Sequence, residues 1–298
     1  MDLTARYDDL IERLDALYEA QKFDEALRLL DTDSAGLEAW TAELSHLKAC
    51  VQGLSGDTDG ALRTLQAASA AGAWWEPGLL TDDDDLAGLR GKPEFDELVA
   101  VSAARVAPET VPPLIDVPDQ TPVGVVVALH GAGQTAEHAQ KNWRGVLDHG
   151  YALVCVQSSQ LTSSNYRTWP DPDEAAADVA RALAALPPEL TAAHLPLIAA
   201  GFSAGGRAAL NWALTAEPTP VAGVLAMAPA IRQLPDASAG KLSPATIWIG
   251  ADDDLRQVVE GVAEKLESFG CTIERIPGLT HTFPADFDDR LRGLAGQL

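Results

Sequence analysis

The chain has 298 residues, with 44 Asp and Glu against 21 Lys and Arg, and a formal net charge of −23 at pH 7. That balance argues against nucleic acid or an anionic membrane surface as partner, because both require a basic face. The length suits two domains, each large enough for its own core, and the 47% hydrophobic content is ordinary for a globular protein.

Three cysteines, Cys50, Cys155 and Cys271, are odd in number and far apart, with no disulfide framework and no zinc spacing in sequence. Cys155 lies in an apolar run and reads as a small buried hydrophobe. The first residues, MDLTARYDDLIERLD, show neither a basic n-region nor an apolar h-region, and no apolar run approaches the length of a membrane span. The expectation is a cytoplasmic protein with no membrane insertion.

Residues 1–106 carry helical periodicity. Leu10, Ile11, Leu14, Leu17 and Tyr18 share one face, and Phe23, Ala26, Leu27 and Leu30 repeat the spacing after Gln21-Lys22, which predicts a helical hairpin. A second hairpin is expected from Ala39–Leu54, a turn at Ser55-Gly56-Asp57, and Gly60–Ala71. LYEAQKFDEALRLLD runs parallel to CVQGLSGDTDGALRTLQAA, with Ala26-Leu27 matching Ala61-Leu62. This stretch resembles tetratricopeptide repeats, in which small residues sit where helices cross. The resemblance implies a surface for a protein partner or for self-association. Trp74-Trp75 reads as core or cap packing. Asp82–Asp85, four carboxylates in a row, reads as a solvated turn and helix start rather than a metal site. Five prolines between Val106 and Gly124 forbid a helix, Leu114–Val117 suits a short edge strand, and the boundary is placed at 106/107.

The second half alternates strands and helices. Val123–Leu129 is a β-branched run that suits a central parallel strand and ends in His130-Gly131-Ala132-Gly133. A helix over His138–His149 and a strand at Tyr151–Gln157 follow, then a loop through Asn165, Tyr166, Arg167 and Trp169, and an amphipathic helix over Asp173–Leu186. Loops leaving the carboxyl ends of parallel strands line the ligand crevice, so Tyr166 and Trp169 are candidate pocket walls. The apolar run Leu195–Ala200 leads into Gly201-Phe202-Ser203-Ala204-Gly205 and then a helix-forming run. A serine on so sharp a strand-to-helix turn needs neighbours without a Cβ, here Gly201 and Gly205. A G-x-S-x-G pentapeptide arises by chance in about one in ten chains of this length, so it needs partners. Strands at Val221–Met227 and Pro244–Ile249 follow, the latter ending in Gly250-Ala251-Asp252-Asp253-Asp254. A helix over Leu255–Phe269 and a last strand, Thr272–Ile276, lead to Pro277-Gly278-Leu279-Thr280-His281-Thr282-Phe283-Pro284.

Four motifs thus stand in one order: LHGAG, GFSAGG, GADD and GLTHTFP. Residues 107–298 resemble the α/β-hydrolase superfamily, in particular its carboxylesterase/phospholipase, dienelactone-hydrolase-like branch. The resemblance implies an α/β fold with a mostly parallel sheet flanked by helices, preceded by the all-α helical-hairpin domain. It implies Ser203 as nucleophile on the elbow, His281 as base on the loop after the last strand, and an acid after the preceding strand. A G-x-x-D pattern selects Asp253, with Asp252 and Asp254 as adjacent alternatives. The amides of Ala132 and Ala204 would form the oxyanion hole. His130 precedes the serine and breaks the Ser–acid–His order, so it reads as structural. His46, His138, His149 and His194 lack such context. The activity implied is hydrolysis of a small carboxylic ester through an acyl-enzyme, a mechanism that calls for no metal or organic cofactor. The same groups would serve a peptidase or a thioesterase. The rival of another class is a partner-binding scaffold whose hydrolase half is inactive.

Overall fold

The computed structural model describes residues 3–107, 109–192, 194–236 and 242–294. The chain divides into two compact units, one formed by Met1–Pro108 with Leu161–Tyr166, the other by Glu109–Gln160 with Arg167–Leu298.

The first unit is helical: α1 (Leu3–Glu19), α2 (Phe23–Asp33), α3 (Thr41–Leu54), α4 (Thr58–Ala70), α5 (Pro77–Thr81), a 3-10 turn at Asp84–Leu89, and α6 (Pro93–Ala103). Helix α3 has apolar side chains on two faces and serves two cores. Leu44 and Val51 join Leu10, Leu14, Ala26 and Leu30, while Ala42, Ala49 and Cys50 join Ala61, Leu65, Leu86 and Phe95. The helix starts have local causes. The Asp57 carboxylate accepts the Gly60 N–H at 2.9 Å, and Pro77 and Pro93 occupy first-turn positions where no amide donor is needed.

Trp75 is fully buried, donates Nε1–H to the Ala42 carbonyl at 2.9 Å, and exchanges two hydrogen bonds with the Ser102 hydroxyl. The segment Leu161–Tyr166 completes this unit. Its Thr162 carbonyl accepts the Glu76 N–H at 2.7 Å, Ser163 donates to the buried Glu43 carboxylate, and Asn165 donates to the Ala39 carbonyl.

The second unit holds a seven-stranded sheet of order β1-β3-β2-β4-β5-β6-β7. The strands are β1 (Leu114–Asp116), β2 (Gly124–Leu129), β3 (Tyr151–Val156), β4 (Leu197–Phe202), β5 (Gly223–Met227), β6 (Ala245–Gly250) and β7 (Thr272–Ile276). Only β1 runs antiparallel, against β3. Strands β2, β3, β5 and β6 are buried along their whole length, as a parallel sheet covered on both faces requires. Around them stand α7 (Ala136–Trp143), α8 (Pro172–Ala184), α9 (Pro188–Ala192), α10 (Ser203–Thr215), α11 (Arg256–Glu260), α12 (Ala263–Ser268) and α13 (Phe287–Leu294). Edge strand β7 exposes Glu274, and Arg275 on the same strand forms a bidentate pair with Glu260 at 2.7 Å for both bonds. Charge of this kind discourages edge pairing. The fold is that of the α/β-hydrolases, with a helical region ahead of it.

Two local expectations change. The helix expected over Leu255–Phe269 is broken at Gly261-Val262, where Val262 leaves helical geometry at φ −119° and ψ 4°; glycine offers no side-chain packing to carry a helix through such a point. Strand β4 runs on through Gly201 and Phe202, because these residues pair with Ala226 and Met227 of β5. The serine therefore follows the strand directly. Among the described side chains of α13, Phe287 and Leu291 are buried.

Leu153, at the centre of β3, is fully buried. Leu153→Ala is expected to destabilise the sheet unit by about 2–5 kcal/mol, read as a lower urea midpoint at unchanged slope.

Candidate active site

Ser203 stands where β4 meets α10, with φ at +53°. A non-glycine residue held in the left-handed region costs on the order of 1–3 kcal/mol, and the surroundings must hold it there. They do so from several sides. The Ser203 carbonyl accepts the Ala230 N–H at 3.0 Å. A Cβ at Gly205 would stand 2.3 Å from the carbonyl oxygens of both Leu129 and His130. The first turn of α10 thus lies directly on the end of β2, and only glycine allows that approach.

His281, on the loop after β7, closes a chain of hydrogen bonds. Its Nε2 lies 2.9 Å from Ser203 Oγ, and its Nδ1–H donates to Asp253 Oδ2 at 2.9 Å. This pairing sets the tautomer, because a carboxylate can only accept. Asp253 is fully buried at its side chain, and its Oδ1 accepts the Leu255 N–H at 2.7 Å, which fixes the carboxylate plane. Asp252 and Asp254 are exposed on either side. The imidazole rests on Phe202 at 4.9 Å between ring centroids, and Phe202 in turn packs on Phe283 at 5.0 Å. Phe202 is the variable residue of G-x-S-x-G, and nothing in the sequence marks it as the support of the histidine. The chain Ser203–His281–Asp253 has the geometry to pass the serine proton to the imidazole while the carboxylate stabilises the imidazolium that results.

The loop after β2 supplies amides. Gly131 N–H donates to Gln134 Oε1 at 3.0 Å and Gly133 N–H to the Arg167 carbonyl at 2.9 Å. Ala132, exposed between them, has no amide partner among the described residues. Ala204 lies in the first turn of α10, where backbone N–H groups have no intrahelical acceptor.

His130 holds this loop from beneath. It is buried, its Nε2 accepts the Ser158 N–H at 3.2 Å, and its Nδ1–H donates to the Gly131 carbonyl at 2.7 Å. Burial brings its pKa down to about 4, so it is neutral at pH 7 and stands apart from the proton path. Trp169 donates Nε1–H to the His130 carbonyl at 2.8 Å, and Arg207 binds the Trp169 carbonyl at 2.6 Å.

The two expected pocket walls part company. Trp169 lines a cavity of about 610 Å³ that follows α10 through Arg207, Ala208, Asn211 and Trp212, and whose lining includes neither Ser203 nor His281. Tyr166 belongs to the segment that packs with the helical unit, and its hydroxyl pKa is raised by burial and by nearby Glu43. The six residues Leu161–Tyr166 are drawn off by hydrogen bonds with Glu43, Ala39 and Glu76, a fact of packing that loop composition does not carry.

Two family profiles match the chain: "A/B hydrolase-like, N-terminal domain" over residues 6–109, and "Serine aminopeptidase, S33" over residues 120–249. The second spans Ser203 and ends before Asp253 and His281. Among solved structures, the chain is similar to an uncharacterized protein from Bacillus cereus at 21% identity, covering 96% of this chain and 97% of that one, with a TM-score of 0.48. It is similar to a carboxylesterase of Bacillus cereus at 15% identity, covering 62% and 92%, with a TM-score of 0.48. It is also similar to acyl-protein thioesterase 2 of Zea mays at 16% identity, covering 60% and 95%, with a TM-score of 0.43. A search of curated proteins returned no significant match.

Two outcomes test this description. Unfolded His130 protonates near pH 6.5 and folded His130 at about pH 4. Between those values the unfolded chain binds more protons, so the stability tied to neutral His130 is complete above pH 6.5 and falls as pH drops toward 4, by on the order of 3 kcal/mol. His130→Gln, which keeps an acceptor, should flatten this part of the Tm-against-pH curve. Gly205→Ala should destabilise by about 3 kcal/mol or more and displace the serine, seen as a lower urea midpoint and loss of serine labelling by a fluorophosphonate.

Proposed function

We propose that this protein is a serine hydrolase that cleaves carboxylic esters through a Ser203–His281–Asp253 triad. The observation that carries the reading is the hydrogen-bond chain from Ser203 Oγ through His281 to Asp253, with 2.9 Å at each step, on a serine held at positive φ. The order LHGAG, GFSAGG, GADD, GLTHTFP supports the finer placing in the carboxylesterase/phospholipase, dienelactone-hydrolase-like branch.

In this reading Ser203 Oγ attacks the ester carbonyl as His281 Nε2 takes its proton. The carbonyl oxygen, now anionic, accepts hydrogen bonds from the Ala132 and Ala204 amides, each worth about 2.7–4 kcal/mol in comparable sites. The C–O bond of the ester breaks, and the leaving alkoxide takes the proton from His281. Water then attacks the acyl-enzyme, gives its proton to His281, and the acid departs as Ser203 recovers that proton. Asp253 keeps Nδ1 protonated throughout. A reducing compartment such as the cytoplasm suits the three unpaired buried thiols Cys50, Cys155 and Cys271. The helical hairpins of residues 1–106 are read as a tetratricopeptide-like surface for a partner or a second copy.

The match to a profile named for a serine aminopeptidase favours a second reading, peptide hydrolysis by the same groups. Parallel assays with p-nitrophenyl esters from acetate to palmitate and with aminoacyl-p-nitroanilides separate the two. The ester reading expects kcat/KM on some ester to exceed that on every anilide; the reverse would assign a peptidase. Ser203→Ala should lower turnover at least about a thousandfold with the circular dichroism spectrum unchanged, and Asp253→Asn by about 10⁴ through the wrong tautomer. Unchanged turnover in Ser203→Ala would end the proposal.

A further inference from the structure

Away from the hydrolase unit, three side chains with metal-binding chemistry converge in the helical unit. His46 and Cys50 lie four residues apart on α3 and so share one face. Asp83 lies 33 residues beyond Cys50, at the start of the 3-10 turn. Cys50 Sγ is 3.3 Å from Asp83 Oδ2, His46 Nε2 is 3.4 Å from the same oxygen, and Cys50 Sγ is 3.8 Å from His46 Nε2. Among the described residues this is the one grouping of three such ligands whose donor atoms all lie within 4.8 Å of one another. Tetrahedral zinc with a Zn–S bond of about 2.3 Å and Zn–N and Zn–O bonds of about 2.0–2.1 Å sets its ligand atoms about 3.3–3.6 Å apart. The observed edges of 3.3, 3.4 and 3.8 Å sit close to that triangle before any adjustment. The Leu79 carbonyl oxygen lies 3.0 Å from His46 Nε2.

We infer that His46 Nε2, Cys50 Sγ and Asp83 Oδ2 form a structural zinc site that ties α3 to the turn at Asp84–Leu89. The donor set selects the metal: a thiolate with an imidazole suits zinc and disfavours magnesium and calcium, which take oxygen ligands. Two further features hold the ligands in place. Asp83 Oδ1 accepts the Asp85 N–H at 3.0 Å, which orients the carboxylate and leaves Oδ2 toward Cys50 and His46. Gly53, one turn beyond Cys50, lets the two backbones meet, since a Cβ there would stand 2.0 Å from the Asp85 carbonyl oxygen. Cys50 is buried, whereas the His46 and Asp83 side chains keep 15% and 26% of their exposure, so an ion reaches the site from the Asp83 side.

The balance of the binding step is simple. In the metal-free chain the Cys50 S–H donates to Asp83 and the His46 Nε2–H points at the Leu79 carbonyl. On binding, the S–H bond breaks, the Zn–S bond forms, and one proton leaves to solvent. His46 carries its proton on Nδ1 instead of Nε2. The thiolate and the carboxylate together cancel the charge of Zn²⁺, and nothing is oxidised or reduced.

The test uses the full chain, stripped with a chelator and titrated with Zn²⁺ against a chromophoric competitor, and separately with Co²⁺. One tight equivalent of zinc is expected, with a thiolate-to-cobalt charge-transfer band and a Tm that rises with added zinc. Cys50→Ser should abolish the band. Cys50→Ser, His46→Gln and Asp83→Asn should each weaken zinc binding by more than the 10–100-fold that loss of an outer-shell partner costs. Cys155→Ser and Cys271→Ser should leave binding and band intact. Circular dichroism and ester hydrolysis, which use none of the three ligands, report whether each variant is folded. If Cys50→Ser fails to fold, His46→Gln and Asp83→Asn decide the matter. A wild-type chain that binds zinc no more tightly than these variants, or a cobalt spectrum without the charge-transfer band, overturns the site.

Discussion

The contact between the first turn of α10 and the end of β2 is the constraint on which the catalytic half depends. Ser203 at φ +53° is an unfavourable conformation, and it persists because the chain on both sides leaves it no other. Strand β4 is held in register on one side by β2 and on the other by β5 up to Phe202. Helix α10 is pressed onto the Leu129 and His130 carbonyls at Gly205. Between two such fixed elements one residue must turn sharply, and its side chain is thrown clear of the sheet. A flexible loop would present the same hydroxyl in many directions and would lose the preorganisation that proton transfer needs.

The second component follows from the first. Once Ser203 is fixed, the base must come from a different strand end, and its support must be rigid. Phe202 provides this from the nucleophile's own strand, since the ring that precedes the serine carries the imidazole that meets it. Phe283, two residues past His281, packs on Phe202 as well, and Trp143 and Phe287 pack against Phe283. The aromatic stack thus ties the histidine loop to α7, β4 and α13 through apolar contact, while Asp253 aligns the ring by a single hydrogen bond. His130 shows the opposite use of the same residue type. Buried without a carboxylate partner, it is neutral, and it serves as a bracket between the loop after β2 and the backbone of Ser158.

In the helical unit, α3 plays the part that the sheet plays elsewhere. Among the described residues it is the one helix with buried side chains in both apolar clusters. It also carries Glu43, whose carboxylate receives Ser163 from the segment Leu161–Tyr166, and whose pKa burial raises. The proposed zinc ligands His46 and Cys50 extend the same face. Small residues make this density possible, since Ala42, Ala49 and Gly53 along α3 let neighbouring backbone approach.

Much of this was legible in the sequence, for reasons of local chemistry. Apolar runs such as Val125–Leu129 and Tyr151–Val156 can only be buried strands, because β-branched residues without polar alternation suit a sheet covered on both sides. The glycines around Ser203 announce a turn that a Cβ would forbid. The order of serine, acid and histidine motifs pointed to residues whose contacts span 78 and 28 positions of chain. Packing alone decided the rest. Asp253, the residue that the G-x-x-D spacing selects, is buried, while its neighbours Asp252 and Asp254 are exposed. Hydrogen bonds from Ser163 to Glu43 and from Asn165 to the Ala39 carbonyl hold the segment that carries Tyr166 to the helical unit, though its loop leaves a strand of the sheet. Helix α13 packs through Phe287 and Leu291, which pattern alone did not mark as a helix face. His46, Cys50 and Asp83 show no motif spacing, since their convergence depends on the crossing of α3 with a turn 33 residues away. Periodicity and turn chemistry act over a few residues and are written in the chain; the meeting of distant side chains is set by how filled surfaces fit, which exists only once the chain has folded.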